Sequence, residues 1–245
     1  MFSLKDHPFP VETFFENSLV LTYAAPKEEL ARLIPECLTL DTYKDEWAFL
    51  AVAMVKTRGL RPKGLPEVMG NDFILIGYRV FVRYKTKAGK NLRGLYIIGS
   101  QTNRKKMEFW GNIFTHYNYT TTNIEFTKED GIVTVYSEAS GLEVQVDCTS
   151  KGVKLPDGSP FDNWTDARKF AGPLPFTFTY NKTKKEVLII EGVRSNWKPE
   201  PVEVISEKVE FIRSKKIPGL RLANAFMIEN IPYHWKKGRK ELWSG

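Results

Sequence analysis

Lys105 and Lys106 stand side by side just after a strand-like run, Leu92 to Gly99, and at the start of a segment with helical spacing. A second cation beside an ammonium disfavours its charged form, so one amine of such a pair can become a nucleophile that attacks a carbonyl carbon. That chemistry is Schiff-base formation. The competing expectation is a solvated doublet: on a helix beginning near Thr102 both lysines fall in the first turns and point to water, while Met107 and Trp110 hold the helix down. Arg79 shares a strand face with Leu75, Gly77 and Phe81. A guanidinium among apolar side chains needs an acceptor or a cavity, so it either pairs with a core acid such as Glu191 or Asp147 or binds a ligand. Glu191 alternates with Ile189 and Val193; it is a candidate acid if that face lines a cavity and a solvated one otherwise. His116, at the end of the helical segment, is expected as a cap or core histidine, with substrate binding as the alternative.

The elements that must position these residues are mostly strands. Period-two alternation runs through Leu19, Leu21 and Tyr23, through Trp47 to Val55, and through Phe73 to Arg83, where both faces begin apolar as in a sheet interior or a closed barrel. Lys85 to Asn91 is a turn between antiparallel strands, and Lys128-Glu129-Asp130-Gly131 and Asn181 to Lys184 are hairpin tips. Leu142 to Cys148, Val202 with Val204, and Val209 with Phe211 alternate again. Ten or so strands predict a mainly β (α+β) fold, a curved antiparallel sheet closing into a barrel-like cone around a cavity. Helices are expected at Pro26–Leu33, Thr102–Phe114, Asp162–Phe170 and Gly219–Met227, all short and peripheral. No linker interrupts the pattern, so residues 1–245 are expected to form one domain.

Composition narrows the chemistry further. Of 245 residues, 42% are hydrophobic and 27% charged, ordinary for a globular chain. Only Cys37 and Cys148 occur, and three histidines are scattered at 7, 116 and 234, so neither a disulfide framework nor a zinc site is expected. The absence of a phosphate-binding Gly loop argues against a nucleotide cofactor, and no cofactor is expected. The formal charge of +7 raises the question of nucleic acid or membrane, but bases interleave with acids along the chain. The densest runs, Lys182 to Lys185 and Lys236 to Lys240, read as a hairpin tip and a C-terminal tail. The expected partner is therefore a small molecule, not nucleic acid or membrane, with a homo-oligomer left open. Met1 to Asp6 lacks the apolar stretch of a signal peptide, and a cytoplasmic protein is expected.

The order of strand, Pro-started helix, Leu33-Ile34-Pro35-Glu36-Cys37-Leu38, strands and a helix carrying Lys-Lys resembles the acetoacetate decarboxylase-like superfamily. Ala25 to Pro35 is similar to that family's early helix leading to Pro-Glu. A closer likeness is to its branch of uncharacterised bacterial proteins, through Phe73 and Arg79 in the long strand, the hairpin to Tyr96, and Trp197-Lys198-Pro199. The resemblance implies a barrel-like sheet around a central cavity, with Lys105 in the place of the Schiff-base lysine and Lys106 in the place of its activating neighbour. Tyr23-Ala24 stand where decarboxylases place an arginine, and no glutamate occurs between Val68 and Val80. Two functions follow: a lyase or decarboxylase acting on a keto acid through a lysine, or a non-catalytic binding protein for a small anionic or apolar ligand.

Overall fold

The computed structural model describes residues 3–170 and 174–244. The first alternating run becomes β1 (Val11–Pro26), which passes through a single helical turn, α1 (Lys27–Ala31), and the short β2 (Thr39–Leu40) into β3 (Trp47–Pro62). Then come β4 (Asn71–Lys85), β5 (Asn91–Thr102) and the ten-residue helix α2 (Lys105–Phe114). Short strands follow as β6 (Tyr119–Thr121), β7 (Glu125–Glu129), β8 (Ile132–Ser137) and β9 (Leu142–Asp147). After an irregular stretch holding α3 (Trp164–Ala167), the chain continues as β10 (Phe176–Asn181), β11 (Glu186–Arg194), β12 (Glu200–Pro201), β13 (Glu203–Val209), α4 (Glu210–Arg213), β14 (Arg221–Trp235) and β15 (Arg239–Leu242).

Strands β14, β1, β3, β4, β5, β10 and β11 pair in that order, and β11 returns to β14 through Gly192↔Trp235 and Arg194↔Tyr233, closing a ring. All junctions are antiparallel except β5–β10, where Phe176 to Phe178 run parallel to Gly94 to Tyr96. The second sheet, β13-β9-β8-β7, covers the outside of this ring. Val133, Val135, Val144 and Val146 share one buried core with Leu19, Leu21, Ile76, Tyr78 and Val80. The other parity of the same strands points inward: Val20, Ala53, Val55, Leu75 and Phe81 belong to the inner clusters. Apolar residues on both faces of β4 thus follow from two cores meeting at one strand.

One end of the ring is shut. Phe161 and Phe170, from the stretch around α3, pack on Phe49 with centroids 5.1 and 4.5 Å away. Beside them Arg83 of β4 and Arg93 of β5 lie directly opposite each other in register. Like charges so placed repel. Asp41, fully buried, answers both, accepting from Arg83 Nε at 2.6 Å and from Arg93 Nε at 2.7 Å.

Three expectations fail. Gly219–Met227 is not a helix: residues 221–235 form β14, in which Ala223 to Ile228 are all buried, and Arg221 and Asn224 break up the apolar pattern at its start. Phe211 does not continue the alternation of Val209 but sits in α4. Lys236 to Lys240 is no free tail, because Arg239–Leu242 pairs with β11 as an edge strand. Its charge suits that position, since charged residues protect exposed sheet edges from further pairing. No helix of the described residues is long and apolar enough to cross a membrane. Met1 and Phe2, part of the segment read for a signal peptide, lie outside the described residues.

Candidate ligand cavity

The unshut end of the ring opens into a cavity of about 550 Å³, within the range of small-molecule sites. Its walls are the inward residues of β1, β3, β4 and β5, among them Val20, Val55, Leu75 and Ile97. Small side chains make room on one row of the sheet, where Val20, Ala53, Gly77 and Ser100 stand in register on four neighbouring strands. Gly77 has a specific task. A Cβ there would lie 2.8 Å from Arg79 Nε, so the guanidinium lies over the space that the missing side chain leaves.

Arg79 is the only arginine of the inner face of β4 left without an acid. Four residues along the same face, Arg83 has Asp41. Arg79 has neither of the acids expected for it: Glu191 pairs with Lys236 at 2.8 Å on the outside of the ring, and Asp147 accepts hydrogen bonds from Thr149 and Ser150 in the second sheet. Its Nε is buried with no hydrogen-bond partner among the described residues. Burial pulls the Arg79 pKa below its ordinary value, opposed only by the nearby phenols of Tyr233, Tyr119 and Tyr117. What remains uncovered of the side chain faces the cavity.

The three tyrosines come from distant segments. Tyr117 and Tyr119 follow α2, and the Tyr119 ring takes the place of a Cβ on Gly111, which would meet Cδ2 at 2.5 Å. Tyr233, on β14, puts its hydroxyl where a Cβ of Gly192 would stand. Burial pushes the Tyr119 phenol up to about 12, with Arg79 working against it, and burial raises Tyr117 and Tyr233 too. All three are neutral hydrogen-bonding groups around a cation at neutral pH. The Tyr117 hydroxyl, like Arg79 Nε, has no partner in hydrogen-bonding geometry among the described residues, although the Thr177 side chain stands near it.

The mouth is framed by the first turns of α2, by the loop between β3 and β4 and by the N-terminal segment: Lys106, Trp110, Leu65, Met69, His7 and Phe9 all line it. His7 has a left-handed backbone, φ 53°, donates its N–H to the Phe114 carbonyl at 3.1 Å, and accepts from Gly238 N–H at 2.9 Å. Its ring is buried, its Nδ1 lacks a partner among the described residues, and burial lowers its pKa to about 4. Because the folded-state value lies below the unfolded 6.5, the unfolded segment binds more protons between pH 4 and 6.5, and stability falls as pH drops through that window. At pH 5 the His7 contribution is smaller by about 2 kcal/mol than at neutral pH. The protection factors of the amides around residues 4–9, taken against the intrinsic exchange rate at each pH, should therefore fall at pH 5, and His7→Phe should remove that fall.

The sequence candidates divide accordingly. Arg79 lies in the cavity. Lys105 is the first residue of α2, exposed, and does not line the cavity; Lys106, also exposed, reaches its mouth. The reason is helix geometry: Met107 and Gly111 face inward, which turns Lys105 outward, and Trp110 is 45% exposed at the rim instead of anchoring the helix. Glu191 shares the outer face of β11 with Ile189, while Leu188 and Ile190 point in. His116 faces Asp6, Nε2 to Oδ1 3.3 Å, between the cavity residues Thr115 and Tyr117 but not among them. Sequence reasoning missed His7, Tyr117, Tyr119 and Tyr233. Alternation of Tyr117 and Tyr119 after the helix was the one local signal. No three His, Cys, Asp or Glu side chains of the described residues gather as metal ligands would.

The model of DUF2071, described as an uncharacterized conserved protein, matches residues 13–236. No curated protein matches the chain. Among solved structures, acetoacetate decarboxylase from Legionella pneumophila superposes with a TM-score of 0.65 at 11% identity, over 96% of this chain and 88% of that one. An acetoacetate decarboxylase-like enzyme from Sphingomonas wittichii RW1 gives 0.61 at 11% identity, over 99% and 96%. The enduracididine biosynthesis enzyme MppR, complexed with pyruvate, gives 0.54 at 9% identity, over 97% and 92%. At these identities the likeness is one of fold.

Proposed function

The chain belongs to the DUF2071 family within the acetoacetate decarboxylase-like fold, and from that premise we propose that it holds a small organic carboxylate with an apolar body, its carboxylate on Arg79. The observation that carries this reading is a buried guanidinium facing an apolar cavity with no acid of the described residues to neutralise it. An unpaired charge in such a place costs several kcal/mol, about the cost that an incoming anion would offset. Tyr117, Tyr119 and Tyr233 supply neutral hydroxyls that can donate to the same carboxylate. A fold relative complexed with pyruvate, itself a small carboxylate, is consistent with this choice of ligand.

Calorimetry with a panel of monocarboxylates and their primary amides tests the reading. Carboxylates should bind and raise Tm, by an amount equivalent to about 2.7 kcal/mol at a hundredfold excess over Kd. Matched amides should not. Equal binding of both would remove Arg79 as an anion clamp.

A second reading, a Schiff-base lyase acting on a keto acid, is favoured by one observation: Lys106 is the single lysine lining the cavity among the described residues. Exposed at the mouth, it lacks the desolvation that activates such amines elsewhere. Borohydride trapping with pyruvate separates the two readings, since a stable adduct lost in Lys106→Ala but kept in Lys105→Ala would establish the enzyme.

A further inference from the structure

Interleaved acids and bases along the chain argue against a membrane partner, but folding gathers the charges differently. Nine large hydrophobic side chains of the described residues are exposed, and five of them, Leu65, Val68, Met69, Phe109 and Trp110, lie on the two segments that frame the cavity mouth. Val68 is 92% exposed and Phe109 60%. Exposed apolar residues concentrated in one place mark an interaction surface. The same two segments carry Lys63, Arg104, Lys105 and Lys106, all exposed, and none of the four makes an ion pair among the described residues.

Nearby acids are already engaged. Glu108 turns away to accept from Thr121 N–H at 2.9 Å, Asp72 accepts from Gly59 N–H at 2.7 Å, and Glu67 stands 3.9 Å from Arg58. These contacts fix the carboxylates in place without cancelling their charge, so the rim is apolar at its tips with four exposed cations around them that no acid pairs among the described residues. A second copy of the chain would bring the same four cations face to face, and lysine is depleted at the cores of protein interfaces. An anionic bilayer meets both demands: its headgroups attract the lysines, and its acyl boundary accepts the valine, methionine and aromatic tips. Tryptophan at the border of an apolar layer is in its preferred setting.

We propose that the mouth of the cavity docks on an anionic lipid surface, with Val68 and Phe109 entering the bilayer and Lys63, Arg104, Lys105 and Lys106 contacting its headgroups. Docking this way faces the open end of the ring toward the membrane, so a carboxylate with an apolar tail passes between bilayer and cavity without crossing water. The surface argument stands apart from the carboxylate reading, because neither Val68 nor Phe109 lines the cavity.

The test is co-sedimentation of the full chain with vesicles of mixed phosphatidylglycerol and phosphatidylcholine, against vesicles of phosphatidylcholine alone. Retention on the anionic vesicles is expected, weakening in high salt as screening shortens the reach of the lysines. The double variant V68E/F109E should bind these vesicles at least tenfold more weakly, and so should K63E/K105E. Calorimetric titration of V68E/F109E with a monocarboxylate should match the parent chain, which separates loss of docking from loss of folding and from failure of the cavity reading. No retention on anionic vesicles, or retention unchanged in V68E/F109E, would overturn the proposal. So would a dimer in light scattering that V68E/F109E dissolves, since the rim would then be an interface between copies.

Discussion

Arg79→Met should weaken carboxylate binding about a hundredfold while making the empty protein more stable. The two effects share one cause. Arg79 sits over Gly77, its guanidinium surrounded by neutral phenols and its Nε unpartnered among the described residues, none of whose acids offsets the cost of the desolvated charge. A methionine of similar length removes that cost and keeps most of the packing, a change that in comparable buried sites stabilises by about 1 to 2 kcal/mol. A bound carboxylate, by contrast, loses its charge-assisted hydrogen bonds in a dry site, about 3 kcal/mol or roughly a hundredfold in Kd. Thermal melts and calorimetry on the same preparation read both numbers. If Tm falls along with affinity, Arg79 is a structural residue and the anion clamp is lost as an explanation.

Asp41→Ala should have the opposite character, a large loss of stability with no change in ligand affinity for the molecules that remain folded. Asp41 is fully buried and is shared by Arg83 and Arg93, which oppose each other on β4 and β5. Removing it leaves two facing guanidiniums, 38% and 35% exposed, with water as their only counterweight. Breaking a buried ion pair costs 3 to 5 kcal/mol in general; the partial exposure of both arginines brings the expected loss to about 3 kcal/mol. Urea denaturation should show the midpoint falling with an unchanged slope. Asp41→Ala combined with Arg83→Leu should recover part of the loss, because one of the two repelling charges is gone. A loss below about 0.5 kcal/mol would mean that the triad is a solvated surface cluster in all but appearance.

These two residues show what the sequence can and cannot say. Arg79 was legible because a charge in the middle of an apolar strand demands a reason, and the alternatives, an acid or a cavity, could be named in advance. Which of them holds depended on Glu191 and Asp147, and their facing is set by register and sheet membership that no local pattern contains. Lys105 shows the reverse. Doublet and position pointed to chemistry, yet the orientation of α2 is decided by Met107 and by the close packing of Gly111 on Tyr119, a contact with a residue outside the helix. The long strands β1, β3 and β4 were readable because a period-two apolar set can be followed in each, although both of their faces are largely buried. β14 was not, because Arg221 and Asn224 break up the start of its apolar pattern, and Leu220, Ala223 and Met227 happen to fall at helical spacing across that start. The tyrosine cluster and His7 were invisible for a plainer reason: they meet only after residues 7, 117 and 233 have been brought together.

The ring described above is sealed by its first and last long strands. β1 pairs with β14 along nearly its whole length, and β11 also depends on β14 for closure. On a ribosome, a nascent chain that has not yet reached Arg221 leaves one edge of β1 and the apolar interior open, and a short parallel junction between β5 and β10 is all that joins β10 and β11 to the earlier strands of the ring. Synthesis must therefore reach β14 before the interior exists as an enclosed space, a vectorial constraint set by the order of the strands along the chain.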